Sequence, residues 1–399
     1  MKKAISILLA ILMVFTLFAC AAKQEEVSPE PSDSAPVSAD NTQDSAEPSE
    51  MIDVTKTANE LGFFYDGVDP QSRDTYDIVF GYPFTLLLNK LMAEAMRNFS
   101  DELNITITEM TSENDMDMFV LNLETYIGQG DVDGFVVVID AAATERINEV
   151  LYESGVPYIG WLNSVVDETG SELIPCIGLD DVTAGAITLQ WLYDNHETYW
   201  GEIDTSKLGL MNMTTTVNID LNERAIGSEA KFKELLPNND QIFLLDGTTE
   251  LTQDKAYDMA SATFAANPDV AYWFVTSCLE MYSQGVARAA ESLKMEDRVL
   301  ITDVGSDILC SEWETGYAGS WVSCLAISNY LYAAPTICGL VALIDGKATH
   351  ESLWADQRAP GDLCTFYNTG NEMITKDTYR EYFNNYAELA DAPLPYPGA

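Results

Sequence analysis

The sequence has few basic residues and almost no histidine. Its 20 lysines and arginines stand against 64 aspartates and glutamates, which gives a formal net charge of -44. Such a negative charge repels phosphate backbones and anionic lipid, so the composition excludes nucleic acid as a partner. The two histidines, His196 and His350, leave few ways to assemble a nucleophile and its general base.

Sequence motifs for catalysis and for metal binding are missing as well. The sequence contains no G-x-S-x-G, H-E-x-x-H or G-x-x-x-x-G-K-[ST] motif. Asp115-Met116-Asp117 lacks the glycine and the distal glutamate of a calcium-binding loop. We therefore predict that the protein is not an enzyme and has no catalytic residues, no metal site and no cofactor. A surface hydrolase is the disfavoured alternative.

The amino terminus has the pattern of a secretory signal peptide over residues 1–19. Lys2 and Lys3 precede the apolar segment 4–19, and Cys20 follows it directly. A cysteine after the cleavage site is typical of bacterial lipoproteins, in which a thioether-linked lipid anchors the mature chain to the outer face of the cell membrane. An uncleaved membrane helix is the alternative. The polar sequence that follows at once favours cleavage and lipid attachment at Cys20.

Residues 20–50 predict a solvated tether behind this anchor. The segment 23–50 is rich in Ser, Pro, Glu and Asp and has no aromatic residue, so it cannot bury enough surface to fold. We expect a lead-in segment over 51–75 and a carboxyl-terminal tail over 381–399.

The cysteines after Cys20 show no C-x-x-C pair and no zinc spacing. An extracytoplasmic location permits disulfides, whose pairing the sequence leaves open. Buried free thiols are the alternative, which we expect for most of Cys176, Cys278, Cys310, Cys324, Cys338 and Cys364.

Short β-branched or aromatic segments alternate with helical patterns from Tyr76 onward. The predicted helix 86–99 places apolar residues on one face at the spacing of a helix that packs on a sheet. One set of strands is followed by a helix after Asp180, and a second set begins at Lys207. Two sets of βαβ units predict an α/β protein with two doubly wound, Rossmann-like lobes. The predicted strands are 77–81, 104–108, 135–139, 157–161 and 174–178, then 207–213, 241–245, 270–275, 299–302 and 319–323.

Ligands bind at the carboxyl ends of the strands in sheets of this kind. Aromatic side chains there can cover the C–H face of a sugar, and an arginine can donate to two hydroxyls at once. Structural alternatives stay open: core or interlobe packing for Tyr82, Phe84 and Trp161, helix caps for Asp140, Asp303 and Asp307, and for Arg224 an exposed position or a pair with Glu223 or Asp220. The strand-end rule selects Tyr82, Phe84, Asp140, Trp161 and Asn163 in the first lobe, and 218–224, Asp246, 276–280 and 303–307 in the second. The predicted ligand-binding residues are these five of the first lobe together with Asn222, Arg224, Ser277, Glu280 and Asp303.

Several short motifs follow one another along 76–379. They are Tyr82-Pro83-Phe84, Ser154-Gly155-Val156-Pro157, the segment 178–185, Asn222-Glu223-Arg224-Ala225-Ile226-Gly227 and Ile374-Thr375-Lys376-Asp377. Their order and spacing resemble the type I periplasmic binding proteins, specifically the ribose- and galactose-binding branch. In that family the segment that matches Asn222 to Gly227 carries an arginine that reaches ligand hydroxyls. The resemblance implies a first lobe of 76–179 plus 325–358, a second lobe of 180–324 plus 359–380, and a three-segment hinge.

The same resemblance implies a function. A protein of this kind captures a small polar solute, such as a sugar or sugar-like molecule, and delivers it to an ABC import permease. A sensory receptor that presents its closed form to a membrane histidine kinase or chemoreceptor is the alternative. The ligand residues match only in part, because Gly160-Trp161-Leu162-Asn163 replaces the family's Asp-Arg pair and Ser277-Cys278-Leu279-Glu280 replaces its Asn-Asp. The identity of the solute is therefore left open.

Overall fold

The computed structural model describes residues 69–85, 87–113, 115–139, 143–369, 371–389 and 394–396. The predicted signal peptide, Cys20, the tether, most of the lead-in segment and Asp140 lie outside the described residues, so these predictions are not tested by it.

The described chain alternates strands and helices. The strands are β1 (Tyr76–Tyr82), β2 (Ile105–Thr111), β3 (Gly134–Val138), β4 (Tyr158–Trp161), β5 (Cys176–Gly178), β6 (Leu208–Thr214), β7 (Ile242–Asp246), β8 (Tyr272–Ser277), β9 (Val299–Asp303), β10 (Ser323–Leu325), β11 (Phe366–Asn368) and β12 (Met373–Thr375). The helices are α1 (Leu87–Arg97), α2 (Ser100–Leu103), α3 (Met116–Gln129), α4 (Thr144–Ser154), α5 (Asp181–Trp200), α6 (Ile219–Leu235), α7 (Gln253–Ala266), α8 (Glu280–Leu293), α9 (Asp307–Glu314), α10 (Asn329–Ile344) and α11 (Tyr379–Leu389).

Two parallel sheets form the two lobes. The first has the strand order β11-β5-β4-β3-β1-β2, and the second has the order β7-β6-β8-β9. Strand β3 is buried along its whole length, as a parallel strand covered by helices on both faces must be. The pair β10 and β12 is antiparallel and lies beside the second sheet, where Val304 bridges to Leu325.

The chain crosses between the lobes in three places, as the predicted hinge requires. The crossings follow β5, β10 and β11. After β5, Asp180 caps helix α5, because its carboxylate accepts the Thr183 N–H at 2.9 Å. This cap begins the helix at the hinge and fixes the direction in which the chain enters the second lobe.

Helix α1 shows why the sequence pattern predicted the packing. Met92, Ala95 and Met96 are buried, and Phe99 just beyond the helix is buried with them. They join the aromatic core of the first lobe, where the Phe80 and Trp161 rings lie 5.3 Å apart. The spacing of three and four residues thus turned one helical face onto the sheet.

Two strand assignments differ from the prediction. Segment 359–380 was expected in the second lobe, but β11 pairs with β5 in the first sheet, so only the chain after β11 enters the second lobe. The strand predicted at 319–323 is β10 at Ser323–Leu325, and Trp321 makes only an isolated bridge to Ile301. The strand error at 319–323 arises because a three-residue strand is too short to show a period, whereas the boundary at 359 was implied by the family resemblance and not by the residues.

The six cysteines in the described part of the chain are all buried and free, which confirms the free thiols expected for most of them. None of the described helices is long and apolar enough to span a membrane.

Candidate functional site between the lobes

A cavity of about 370 Å³ lies between the lobes, where the carboxyl ends of the strands meet the hinge. Both lobes and the hinge contribute to its wall. Its lining residues are Phe84, Leu88, Val138, Leu162 and Asn163 from the first lobe, Leu179 and Ile327 from the hinge, and Asp181, Asn218, Asp220, Leu221, Arg224, Leu279, Glu280, Met281, Val304, Gly305, Ser306, Asp307 and Ile308 from the second lobe.

A second cavity of about 630 Å³ adjoins the first. The two share Leu162, Asn163, Leu179, Asp181 and Asp220, so they form one continuous cleft along the hinge. The adjoining part is acidic, since its wall also contains Glu172, Asp180, Glu223 and Asp362.

Arg224 lines the cleft in an ion pair. Its Nε donates to the Asp181 carboxylate at 2.5 Å, and a terminal nitrogen donates to the Cys278 carbonyl at 2.9 Å. The two charged side chains are only 15% and 12% exposed. This contact joins the first turn of α5, helix α6 and the turn before α8, and it holds three elements of the second lobe at the cavity wall.

Close packing of α5 against α6 brings Asp181 and Arg224 together. Gly185 lies directly against the Arg224 backbone, and Gly227 lies against the Val182 backbone. Ser228 reinforces the crossing, because its hydroxyl lies 2.9 Å from the Gly185 carbonyl oxygen. Only glycine lets the two backbones approach this closely.

Glu280 holds the loop that forms one wall of the cavity. Its carboxylate accepts the backbone N–H groups of Asp307, Ile308 and Leu309 at 3.1, 2.9 and 3.0 Å. These are the first residues of α9, so Glu280 caps that helix from a neighbouring helix. Asp303 is fully buried nearby, and burial together with the charge of Glu280 raises the pKa of Asp303 well above its ordinary value.

The stability of this wall should depend on pH through Glu280. Burial raises the pKa of Glu280 from 4.5 to about 7, although the three N–H groups favour the ionised form. Between these two values the folded protein keeps a proton that the unfolded chain loses, so stability falls as pH rises. Glu280→Gln cannot titrate and retains the acceptor for Ile308 and Leu309. Urea denaturation at about pH 5 and about pH 7.5 should show the parent losing stability relative to Glu280→Gln, and equal changes in both proteins would contradict this assignment.

Phe84 and Asn163 line the cavity, as the strand-end rule predicted. Between Trp161 and Asn163 the backbone turns through Leu162, whose φ of 70° lies in the left-handed region that a leucine rarely adopts. Leu162 and Asn163 at this turn line the cleft. Strained backbone of this kind is concentrated at binding sites.

Of the described candidates, five lie outside the cavity lining. Tyr82 is buried and donates its hydroxyl to Glu109, which also binds Lys90 at 2.7 Å. Asn222 accepts from the Thr214 hydroxyl at 3.1 Å. Ser277 donates its hydroxyl to the Leu279 carbonyl, and Asp303 and Trp161 are fully buried. The strand-end rule thus found the correct edge of each sheet but not the side-chain directions.

Trp161 is the clearest correction. It was predicted to contact the ligand, but β4 directs Ile159 and Trp161 to the same core face, because alternate residues of a strand share a face. The indole is fully buried against Phe80, and within the described part of the chain its N–H has no hydrogen-bond partner.

Trp161→Ala should therefore lower stability and not only ligand affinity. Truncating a buried tryptophan costs roughly 3–5 kcal/mol, from which the relief of one unpaired donor subtracts about 1–3 kcal/mol. We expect a net loss of about 2 kcal/mol in urea denaturation. Trp161→Phe is the matched control, and it should be nearly neutral because it keeps the ring and removes the unpaired N–H. If Trp161→Ala is as stable as the parent, Trp161 is not a core residue and the prediction that it lines the cleft stands.

Sequence reasoning missed most of the apolar lining, notably Leu88, Val138, Met281 and Ile308. An aliphatic residue in a sequence does not indicate a binding site, because aliphatic residues lie in the hydrophobic core far more often than in a cavity wall. Asp181 was considered only as a helix-start residue. Its separation of 43 residues from Arg224 hides the ion pair from any local motif.

The fold consists of two α/β lobes joined by a hinge, with a cleft between them. No family model matches the sequence, and no curated protein matches it. Solved structures match the fold. A sugar-binding protein of a sugar ABC transporter from Bacillus halodurans is 17% identical with a TM-score of 0.62, and the match covers 78% of this chain and 100% of that chain.

Two further solved structures are similar over a comparable share of the chain. A periplasmic solute-binding protein of an ABC transporter from Actinobacillus succinogenes, with bound D-allose, is 14% identical with a TM-score of 0.59, covering 78% and 100% of the two chains. A 5-methylthioribose transporter solute-binding protein from Thermotoga lettingae is 15% identical with a TM-score of 0.58, covering 81% and 94%. The chain therefore has the type I periplasmic-binding-protein fold, as the order of its motifs predicted.

Proposed function

We propose that this protein is an extracytoplasmic solute-binding protein that captures a sugar or sugar-like molecule in the cleft between its lobes. The observation that carries the proposal is the cavity itself, whose wall is divided between both lobes and the hinge. A solute that contacts both lobes stabilises the closed form over the open form, so binding and closure are the same event. The named ligands of the similar structures, D-allose and 5-methylthioribose, support a sugar-like solute.

Delivery to an ABC import permease completes the proposal. The similar proteins from Bacillus halodurans and Actinobacillus succinogenes are components of ABC transporters, which supports this role. A lipid on Cys20 and the tether 20–50 would keep the lobes at the membrane surface, where the permease lies. Fractionation of cells that express Cys20→Ala tests the anchor. The variant should be found as unprocessed precursor or as released protein, and not as the mature membrane-bound form.

A thermal-shift screen over sugars, polyols, nucleosides and small signalling molecules tests solute capture. A solute at a hundredfold excess over its dissociation constant adds about 2.7 kcal/mol to stability. Met281→Lys places a charge on the apolar wall of the cavity and should abolish the shift. Met118→Lys is the matched control, because Met118 is an exposed residue of α3. A solute that stabilises the parent and Met281→Lys equally binds elsewhere and would overturn the cleft as its site.

A further inference from the structure

We infer that the cleft selects a solute with an apolar body and no negative charge. In chemical terms this is a sugar or related molecule that bears an alkyl or aryl substituent, and not a free polyol, a sugar acid or a sugar phosphate. The inference rests on the proposed function and specifies the chemistry of its ligand.

The apolar character of the wall supports the claim that the solute has an apolar body. More than half of the residues around the 370 Å³ cavity have apolar side chains, and they come from both lobes: Phe84, Leu88 and Val138 on one side, and Leu279, Met281 and Ile308 on the other. A solute held between these walls is covered by hydrocarbon on two faces. A free sugar has hydroxyl groups around its whole ring, and each hydroxyl left without a partner costs about 1–3 kcal/mol.

Four of the eight polar residues of the wall make side-chain hydrogen bonds within the protein, namely Asp181, Asn218, Arg224 and Glu280. Asn218 caps α6 by accepting the Leu221 N–H at 2.9 Å, and Glu280 accepts three N–H groups of the loop. Arg224 donates to Asp181 and to the Cys278 carbonyl. In contrast, the Ser306 hydroxyl is 3% exposed and has no partner among the described residues, so it offers one buried hydrogen-bonding point in the wall. The wall can therefore form hydrogen bonds with a few polar groups of a solute, but not with hydroxyl groups around its whole ring.

The charge of the wall supports the claim that the solute bears no negative charge. Asp181 and Asp220 line the main cavity beside Glu280 and Asp307, whose pKa values are raised by burial, and Arg224 is the single basic residue in the described lining of either cavity. The ion pair with Asp181 neutralises that one cation. The adjoining cavity adds further carboxylates, and the charges of Asp220, Asp181 and Asp180 add to burial in raising the pKa of Glu223. A carboxylate or phosphate that entered this field would be repelled, with nothing basic left to pair with it.

Two dyes with the same aromatic body provide a direct test. N-phenyl-1-naphthylamine is neutral, and 8-anilino-1-naphthalenesulfonate differs from it by one sulfonate. Fluorescence titration of the full chain should show one site for the neutral dye and at least tenfold weaker binding of the sulfonate. Met281→Lys should weaken the neutral dye at least tenfold, whereas Met118→Lys should bind it like the parent. Met281→Glu should increase the difference in affinity between the neutral dye and the sulfonate dye, and Met281→Lys should decrease that difference.

Other outcomes overturn the inference. Equal or tighter binding of the sulfonate dye overturns the exclusion of negative charge, and binding of the neutral dye that Met281→Lys leaves unchanged overturns the apolar site. A free sugar or sugar acid that stabilises the parent but not Met281→Lys overturns the inference while it supports the proposed function. If the neutral dye binds as expected but no solute stabilises the protein, the apolar cleft stands and solute capture fails.

Discussion

Gly185→Ala should prevent the second lobe from folding. A Cβ atom at this position would overlap the Arg224 carbonyl oxygen and lie 2.6 Å from its carbonyl carbon and 2.9 Å from its Cα. These are backbone atoms in the middle of α6, so no side-chain movement can relieve the clash. Overpacking in a core costs typically 1–3 kcal/mol when side chains adjust, and we expect more than about 3 kcal/mol here because the two helices must separate.

Circular dichroism and thermal melting of purified Gly185→Ala measure this effect, and we expect little folded protein. Gly128→Ala is the matched control, because that glycine lies in α3 with no atom within 4 Å of an added Cβ. Alanine in a helix is favoured over glycine by roughly 0.5–1 kcal/mol, so this variant should be neutral or slightly stabilised. A Gly185→Ala protein that melts at the parent temperature would contradict the tight crossing of α5 and α6.

Arg224→Ala should lower both stability and solute affinity. The variant leaves Asp181 as an uncompensated charge in a mostly buried position, which costs roughly 3–5 kcal/mol. It also releases the Cys278 carbonyl and removes a residue of the cavity wall. Arg224→Lys should recover part of the loss, since an ammonium group can neutralise Asp181 but cannot reproduce the planar arrangement of donors.

Urea denaturation and solute titration of the same variants separate these effects. Arg146→Ala is the matched control, because its pair with Asp117 is 53% and 85% exposed and should contribute no more than about 1 kcal/mol. Arg224→Ala combined with Asp181→Asn should regain stability that the single variant loses, because the buried charge is gone. If Arg224→Ala is as stable as Arg146→Ala, the ion pair does not hold the wall of the cleft.

The fold could be predicted from the sequence because its signals are local and repeated. The strand at β3 is a continuous apolar segment, and α1 shows its core face through the spacing of Met92, Ala95 and Met96. The prediction failed where an element is short, as at β11, whose three residues carry no period and whose partner β5 is distant in the sequence.

The cleft was predictable in location but not in detail. The carboxyl ends of the strands gave Phe84, Asn163 and Arg224 correctly as lining residues. Trp161 also ends a strand, but one position along β4 decides between the core and the cleft, and nothing in the local sequence reveals that choice. Glu280 lines the cavity as predicted, yet its hydrogen bonds cap the first turn of α9, a role that depends on packing between distant elements.

Closure of the two lobes around a solute is the central claim, and small-angle X-ray scattering measures it most directly. The experiment uses the first solute that stabilises the parent but not Met281→Lys, added at saturation to the chain from Cys20 onward. We predict that the radius of gyration falls with this solute in the parent and in Met118→Lys, and stays constant in Met281→Lys. Saturation of the parent with no change in the radius of gyration would contradict the account, because the protein would then bind its solute without closing.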